Sequence, residues 1–260
     1  MTDAALPPRP GLWAGFRAVF RGLGFMFRTP AAWPAGLVPA AILFGLSALF
    51  VSLAVLWVQP ALETWIAPSH SWYSELGTAI ASWVGALLAS VLGVMIAAAT
   101  TPPLSGPALE SIIARQEKAL GIPERAALGF FAEMWFGLKA QALAALFAGP
   151  LLLLLWIVEL LAPPAAVVTI PAKLLVVALG LAWNLFDYPL TLRGVRMRDR
   201  LRLVRAYKPA VLGFGLGFAL LFWLPCFSIL MLPVAVAAST RLVWEMLSAD
   251  RELLPELPRP

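Results

Sequence analysis

The chain has 260 residues, of which 61% are hydrophobic and 13% are charged, and its mean hydropathy is +0.86. Soluble domains are about 45–50% apolar, so this composition excludes a soluble globular protein and predicts an integral membrane protein. The net charge of +5 lies in blocks that flank apolar stretches, which indicates the positive-inside pattern of a membrane protein rather than nucleic-acid binding. A single cysteine, Cys226, and a single histidine, His70, exclude disulfide frameworks, zinc sites and Cys/His nucleophile pairs, and no cofactor is expected.

The N-terminal region predicts a disordered leader at residues 1–10, followed by an amphipathic helix over 12–27. In that helix large apolar residues recur at spacings of three and four, while Arg17, Arg21 and Arg28 gather on another side. We expect it to lie in the headgroup plane, with its aromatic residues directed inward and its arginines directed toward anionic lipid. The alternative is a short extension of the span that follows.

Two long charge-free segments, 29–62 and 76–109, each predict a transmembrane helix. The connection 63–75 has aromatic residues but no lysine or arginine, which indicates an external loop. Segment 110–139 carries four basic residues and is expected on the cytoplasmic side. It predicts two helices joined by a turn at 121–123, the second of which returns to the bilayer.

A first helical hairpin is predicted where the apolar runs 140–158 and 174–186 flank a proline-containing tip. Glu159 and Lys173 are oppositely charged residues close to that tip. The length of the runs does not decide whether the hairpin reaches the far side of the membrane. Both possibilities return the chain to the cytoplasm.

A second hairpin is predicted near the C-terminus, where Pro225 and Pro233 interrupt an apolar run. The pieces 210–224 and 227–240 are each roughly 20 Å long as helices, whereas the hydrocarbon core is about 30 Å thick. We therefore expect this hairpin to penetrate the bilayer part-way and return to the same side. A single kinked span is the alternative.

These elements predict an all-α integral membrane protein with two long transmembrane helices, two hairpins that penetrate the bilayer part-way, and an amphipathic N-terminal helix. Basic residues number four before the first span, none in the external loop, four in 110–139 and seven in 193–208. This asymmetry predicts that both termini are cytoplasmic. We expect one membrane domain over 11–245 and a short polar tail over 246–260.

Two arginines are candidate anion ligands. Guanidinium groups match the oxygens of an oxyanion, and broken membrane helices supply free backbone N–H groups at depth. Arg28 precedes the first span, and Arg193 closely follows Asp187-Tyr188-Pro189. The alternative is that both only set topology and contact lipid headgroups. Gly213 and Gly217, four residues apart, predict a close approach of two helices.

The C-terminal third resembles a known family. The motifs that carry the resemblance are Asn184-Leu185-Phe186-Asp187-Tyr188-Pro189-Leu190, Gly213-Phe214-Gly215, Leu224-Pro225 and the run from Leu232-Pro233 to Ala238-Ser239-Thr240, together with Thr101-Pro102-Pro103-Leu104 and Glu110 earlier in the chain. These are similar to motifs of the CysZ sulfate permease family, which is grouped with eukaryotic etoposide-induced endoplasmic-reticulum membrane proteins. The resemblance covers roughly residues 12–245.

The resemblance implies sulfate uptake through the bacterial inner membrane for cysteine biosynthesis, often by an oligomer. The family's anion site is a glycine-aliphatic-arginine turn before the first span. Here the corresponding residues 30–34 lack both the glycine and the arginine, and Arg28 is the candidate replacement.

We expect the chain to be a permease for sulfate or a related small oxyanion and not an enzyme. The expected partners are lipid, a small anion and further copies of the chain. The residues with predicted gating or structural roles are Glu110, Arg115, Asp187, Pro189, Pro225 and Pro233, with Arg115 and Arg193 as the arginine partners of Glu110 and Asp187. The alternative is a non-transporting protein of the same fold that organises membrane lipid.

Overall fold

The computed structural model describes residues 9–66, 72–124, 129–222 and 227–249, and all regular structure in these ranges is helical. The prediction of an all-α membrane protein is confirmed. The helices are α1 (Leu12–Arg28), α2 (Trp33–Leu53), α3 (Gln59–Ile66), α4 (Trp72–Leu104), α5 (Gly106–Ala119), α6 (Phe130–Leu161), α7 (Ala166–Leu192), α8 (Met197–Ala206), α9 (Lys208–Phe222) and α10 (Phe227–Ala249). A 3₁₀ turn, Pro30–Ala32, precedes α2, and a π-helical turn, Ala54–Val58, joins α2 to α3.

Several helices are long and apolar enough to cross a membrane. Within the described ranges these stretches are Pro30–Ile66, Tyr73–Leu104, Gln141–Leu161, Pro163–Leu192 and Leu230–Ala249. The first two correspond to the two predicted transmembrane helices, and the chain is a multi-pass membrane protein. The next two form the predicted first hairpin, in which Lys173 pairs with Glu159. Their length permits a full crossing, so the part-way depth of this hairpin stays a prediction.

The contacts divide the chain into two compact units, whereas the sequence predicts one domain over 11–245. The smaller unit is Val38–Ser105. In it, α3 and the π-helical turn pack against α4. Gly93 faces the side chain of Phe50, and Gly85 faces that of Leu62, so closely that a Cβ atom at either glycine would overlap its neighbour.

The larger unit, Met1–Leu37 with Gly106–Pro260, contains α1 and α5 to α10. Helix α1 packs against α9 and α10, and α7 packs against α9. A Cβ atom at Gly213 would overlap the carbonyl oxygen of Leu12, and one at Gly217 would press on Val19. The predicted close approach at these two glycines is therefore confirmed, and α1 is the partner helix.

Helix α1 begins and ends within one residue of its predicted bounds, and it also has a side that contacts protein, which was not predicted. The side that contacts protein carries small residues, which are Gly15, Ala18, Val19 and Gly22. The aromatic side chains of Trp13, Phe20 and Phe27 are exposed, and their predicted direction toward the bilayer interior stays a prediction. The helix is thus part of the packed core along one side and has apolar and basic sides elsewhere.

The C-terminal hairpin differs from the prediction at Pro233, which lies inside α10 and does not break it. A proline removes one backbone hydrogen bond, and the buried residues that follow, Val234 to Ala238, hold the helix in the core. Pro225 lies outside the described residues. Helix α9 has 15 described residues, or about 22 Å, and it meets α8 at 91°.

Helix α10 also continues past the predicted boundary at residue 245. It ends at Ala249, and Met246, Leu247 and Ala249 are buried. The hydroxyl of Tyr207 donates a hydrogen bond to the carbonyl oxygen of Met246 at 2.9 Å. Three of the first four residues of the predicted polar tail are therefore part of the core.

Candidate anion-binding cleft

A cleft of about 790 Å³ lies in the larger unit, beside α1. Its lining residues are Trp13, Arg17, Phe20, Arg21, Gly24, Phe25, Arg28, Thr29, Gln116, Ala119, Leu120 and Arg241. Four of the twelve are arginines, and no carboxylate is among these lining residues. A concave surface with clustered positive charge concentrates anions, so the lining favours an anionic ligand.

The sequence of α1 explains how three of the arginines come to share this cleft. Arg17, Arg21 and Arg28 follow each other at spacings of four and seven, which places them on one face of a helix. The small residues of the opposite side hold α1 against the core, because a Cβ atom at Gly22 would overlap Val234 and Ala238 of α10. The same α10 carries Arg241 one turn further along the chain. Close packing of α1 on α10 therefore brings the four guanidinium groups together.

The four arginines are not equally engaged. Nη1 of Arg21 donates to both carboxylate oxygens of Glu245, at 2.7 and 2.6 Å, and Nε of Arg241 donates to Oε1 of Glu245 at 3.0 Å. The guanidinium of Arg17 lies over the ring of Trp13, 5.0 Å from its centroid. Arg28 is exposed and has no ion-pair partner within the described residues. Arg28 is thus the cleft arginine whose guanidinium is most available to a ligand.

Gln116 adds a polar group to the lining. The residue is 3% exposed, and its side-chain oxygen has no hydrogen-bond partner in the described part of the chain. An amide can present either its carbonyl or its NH₂ group after a half-turn. Gln116 can therefore donate to an oxyanion, or accept from a protonated one.

The turn that precedes α2 offers few backbone donors. Pro30 and Pro34 have no N–H group, the N–H of Ala32 donates to the carbonyl of Thr29 at 2.9 Å, and the N–H of Trp33 donates to that of Pro30. The glycine-aliphatic-arginine turn expected from the resemblance is absent from this position. Side chains, led by Arg28, are the donors that the cleft provides.

Arg193, the second predicted anion ligand, does not line the cleft. Its Nε donates to Oε1 of Glu117 at 3.1 Å, its Nη2 donates to the carbonyl of Pro123 at 2.9 Å, and its guanidinium lies 5.3 Å from the ring centroid of Trp244. Both charged side chains of the pair are only 5% exposed. The Arg193 guanidinium is thus enclosed by protein, and its contact with an anion stays a prediction.

Local turns position this pair. Helix α5 ends at Ala119, and Gly121 in the turn that follows has a φ of 72°, a conformation that favours glycine. The N–H of Ile122 then donates back to the carbonyl of Glu117 at 3.0 Å. Helix α7 ends at Leu192 and is followed in the same way by Gly194, with a φ of 68°. The first reversal follows Glu117 at the end of α5, and the second follows Arg193 at the end of α7.

Asp187 is buried near the end of α7 and pairs with Arg200 of α8. Thr191 donates to Asp187 at 3.1 Å and accepts from Arg200 at 2.8 Å. The predicted partnership of Asp187 with Arg193 is therefore wrong. Six residues correspond to about 240° around a helix, so Arg193 faces away from Asp187, while the turn after α7 returns Arg200 to it.

The remaining predicted residues are dispersed. Arg115 is exposed on α5 and has no ion-pair partner in the described ranges, so its predicted pairing with the half-buried Glu110 is not present. Five residues turn a helix by about 140°, which separates the two side chains. Pro189 is buried inside α7. His70 and Cys226, like Pro225, lie outside the described residues.

Glu245, the carboxylate beside the cleft, and Arg241 are not among the residues predicted from the sequence. Both lie at the end of the predicted membrane domain, after the last motif of the family resemblance. A charged pair at a spacing of four on a helix is a recognisable pattern. Its significance depends on Arg21, which lies 224 residues earlier in the chain.

Comparisons with known proteins identify one family. Residues 18–233 match the family model described as sulfate transporter CysZ/etoposide-induced protein 2.4. The match covers α9 and the first part of α10, and it ends before Arg241 and Glu245. No curated protein gives a significant match to the sequence.

Proposed function

Because the chain belongs to the sulfate transporter CysZ/etoposide-induced protein family, we propose that it is a permease for sulfate or a related small oxyanion. The proposed location is the bacterial inner membrane, with both termini in the cytoplasm, and the proposed role is supply of sulfate for cysteine biosynthesis. Transport requires no catalytic group, so the protein acts as a carrier or channel and not as an enzyme.

The arginine cleft is the observation that supports this function best. Four guanidinium groups line one concavity with no lining carboxylate. Arginine binds oxyanions through several directed N–H groups, so a tetrahedral anion can exchange part of its hydration shell for donors of Arg28 and Gln116, which line the same cleft. The proposal assigns the first contact to Arg28 because its side chain is exposed and has no ion-pair partner within the described ranges.

Sulfate flux into proteoliposomes tests the proposal directly. We expect the wild type to take up labelled sulfate above empty vesicles, and Arg28→Ala to reduce the initial rate by about tenfold, the range for loss of a charged hydrogen bond. The matched control is Arg198→Ala, which removes an exposed arginine of α8 outside the cleft. Wild-type flux equal to that of empty vesicles would end the permease proposal.

A second variant addresses the other predicted anion ligand. Arg193→Ala is expected to lower the yield of folded protein, because it leaves the carboxylate of Glu117 buried without its guanidinium. A folded Arg193→Ala protein with wild-type flux would remove Arg193 from the proposed path. A folded Arg193→Ala protein with reduced flux would support the predicted role of Arg193 as an anion ligand.

A lipid-organising role is the alternative, and the exposed side of α1 favours it. Trp13 is 57% exposed, Phe20 61% and Phe27 72%. Arg17 and Arg28 lie near these aromatic residues in the same helix. Aromatic residues beside arginines are typical of helices that lie in a membrane interface. Vesicle remodelling without sulfate flux would favour this function over transport.

The proposed topology and assembly have their own tests. On a Cys226→Ser background, a cysteine at Trp65, which is 89% exposed, should be labelled from the periplasm, and one at Arg205 should be labelled from the cytoplasm. Reversed labelling would overturn the proposed orientation. We also propose a homo-oligomer, which crosslinking in native membranes should reveal as multiples of the 28.0 kDa chain.

A further inference from the structure

A carboxylate that is not itself a lining residue, that of Glu245, binds two of the arginines of the cleft. The carboxylate of Glu245 accepts hydrogen bonds from Arg21 at 2.6 and 2.7 Å and from Arg241 at 3.0 Å. One carboxylate therefore occupies two of the four guanidinium groups that line the cleft. Carboxylates and tetrahedral oxyanions bind arginine through the same oxygen–guanidinium hydrogen bonds, so Glu245 occupies donors that a ligand would use.

This carboxylate can be displaced at small cost. The side chains of Arg21, Glu245 and Arg241 are 36%, 32% and 42% exposed. An ion pair with such exposure favours its paired state over its separated state by less than about fivefold, because water replaces the lost contacts. Glu117 is only 5% exposed. Its paired state with Arg193 is favoured over the separated state by more than about a hundredfold, because separation would leave an uncompensated buried charge.

Glu245 lowers the net positive charge of the four arginines that line the cleft. Four arginines without a nearby carboxylate would hold a divalent anion tightly, whereas a conducting site must bind weakly enough to release its ion. Glu245 reduces the charge of the cluster by one and competes for Arg21. It also holds α1 to α10 when no ligand is bound, because Arg21 and Glu245 belong to these two helices.

We propose that Glu245 is a resident competitor: it holds Arg21 and Arg241 while the cleft is empty and yields them to a tetrahedral oxyanion that binds beside Arg28. Glu245 is thus a positioning residue that sets the affinity of the cleft and the rate of release. The inference rests on the proposed function in taking an oxyanion as the ligand. The residue lies beyond the stretch that matches the family, which ends at 233.

Equilibrium binding of labelled sulfate to the full chain in nanodiscs of neutral lipid tests this inference. Glu245→Gln keeps the shape of the side chain and removes its charge, so we expect about two- to fivefold tighter binding and a correspondingly slower release. The matched control is Glu159→Gln, the same substitution at a carboxylate that pairs with Lys173 and does not line the cleft. Unchanged or weaker sulfate binding by folded Glu245→Gln would overturn the inference.

A measurement on the wild type guards against a variant that fails to fold. Sulfate should increase the labelling of Glu245 by a water-soluble carbodiimide, because displacement frees its carboxylate from Arg21 and Arg241. Glu159 should keep the same labelling with and without sulfate. Equal labelling of Glu245 in both conditions, at a sulfate concentration that saturates binding, would contradict displacement.

Separate readouts keep the inference distinct from the proposed function. If Glu245→Gln binds sulfate more tightly but the wild type shows no flux, the permease proposal fails and the displacement of Glu245 stands. Repeating the binding with phosphatidylglycerol in the nanodiscs identifies the source of the oxyanion. If phosphatidylglycerol inhibits sulfate binding more strongly in Glu245→Gln than in the wild type, a lipid headgroup phosphate is the oxyanion that competes with Glu245. Equal inhibition in the two proteins assigns this competition to the free anion. In both cases the displacement itself is tested by the tighter sulfate binding of Glu245→Gln in neutral lipid.

Discussion

Two arginine–glutamate pairs of the larger unit consist of the same chemical groups and differ in burial. In the Arg193–Glu117 pair both charged side chains are 5% exposed, and the guanidinium is covered by Trp244. In the Arg21–Glu245 pair the side chains are 36% and 32% exposed and adjoin a cleft. The buried pair cannot separate without leaving a charge in protein, whereas the exposed pair can exchange its partner for water or for an anion.

This difference indicates that residue type alone does not identify an anion site in such a chain. Desolvation decides the cost of separating a pair, and it makes a buried pair expensive to break even where its net contribution is small. An exposed pair contributes about 0–1 kcal/mol, which a ligand can exceed. We therefore assign a structural role to the Arg193–Glu117 pair and ligand exchange to the Arg21–Glu245 pair.

Glu117→Ala tests the structural assignment and should have the largest effect. It leaves Arg193 buried, with the carbonyl of Pro123 as its remaining hydrogen-bond acceptor, so we expect a loss of about 3–5 kcal/mol in the free energy of unfolding. Unfolding in detergent by titration with SDS measures this quantity. The control is Glu245→Ala, for which we expect a loss of about 1 kcal/mol or less. Equal losses would contradict the comparison.

Gly213→Ala should have the next largest effect, because it disturbs the position of α1, which carries Arg21. The new methyl group would overlap the carbonyl oxygen of Leu12 and force α1 away from α9, at a cost of about 2–3 kcal/mol. The control is Gly149→Ala in α6, where nothing lies within 4 Å of the added atom and the higher helix propensity of alanine should stabilise slightly. Both values come from the same SDS titration. A Gly213→Ala protein as stable as the control would show that α1 is not held in this close approach.

Much of the fold could be predicted from the sequence because the relevant patterns are local. The spacing of apolar residues and arginines predicts α1, and the glycine spacing in α9 predicts a close approach to another helix. The run of residues 121–123 predicts the reversal after α5, because Gly121 takes up the left-handed conformation that the turn needs. These features depend on residues within a few helical turns of each other.

The parts that could not be predicted depend on distant partners. Arg193 lies 76 residues from Glu117, and Arg21 lies 224 residues from Glu245, so no local spacing pairs them. Pro233 is a helix breaker by propensity, yet tertiary packing keeps α10 continuous through it. Of the predicted anion ligands the structure brings Arg28 to the cleft, and its actual companions come from α1, α5 and α10.

Asp187→Asn extends the comparison to a pair of intermediate burial. The side chains of Asp187 and Arg200 are 8% and 13% exposed, and Arg200 keeps acceptors at Thr191 and at the carbonyl of Val195. Because these acceptors remain, we expect a loss of about 1–2 kcal/mol in the free energy of unfolding, which lies between those for Glu117→Ala and Glu245→Ala. A loss equal to that of Glu117→Ala would mean that the remaining acceptors of Arg200 give no compensation.

The smallest expected effect is also the sharpest test of the difference between the two pairs. A double-mutant cycle on Arg21→Ala and Glu245→Ala should give a coupling energy below about 1 kcal/mol, and this energy should disappear in 1 M salt, where charges are screened within about 3 Å. The same cycle on Arg193→Ala and Glu117→Ala should retain its coupling, because ions do not reach side chains that are 5% exposed. A coupling at Glu245 that persisted in high salt would mean that this carboxylate is too firmly held for an anion to displace it, and ligand exchange at Arg21 would then be excluded.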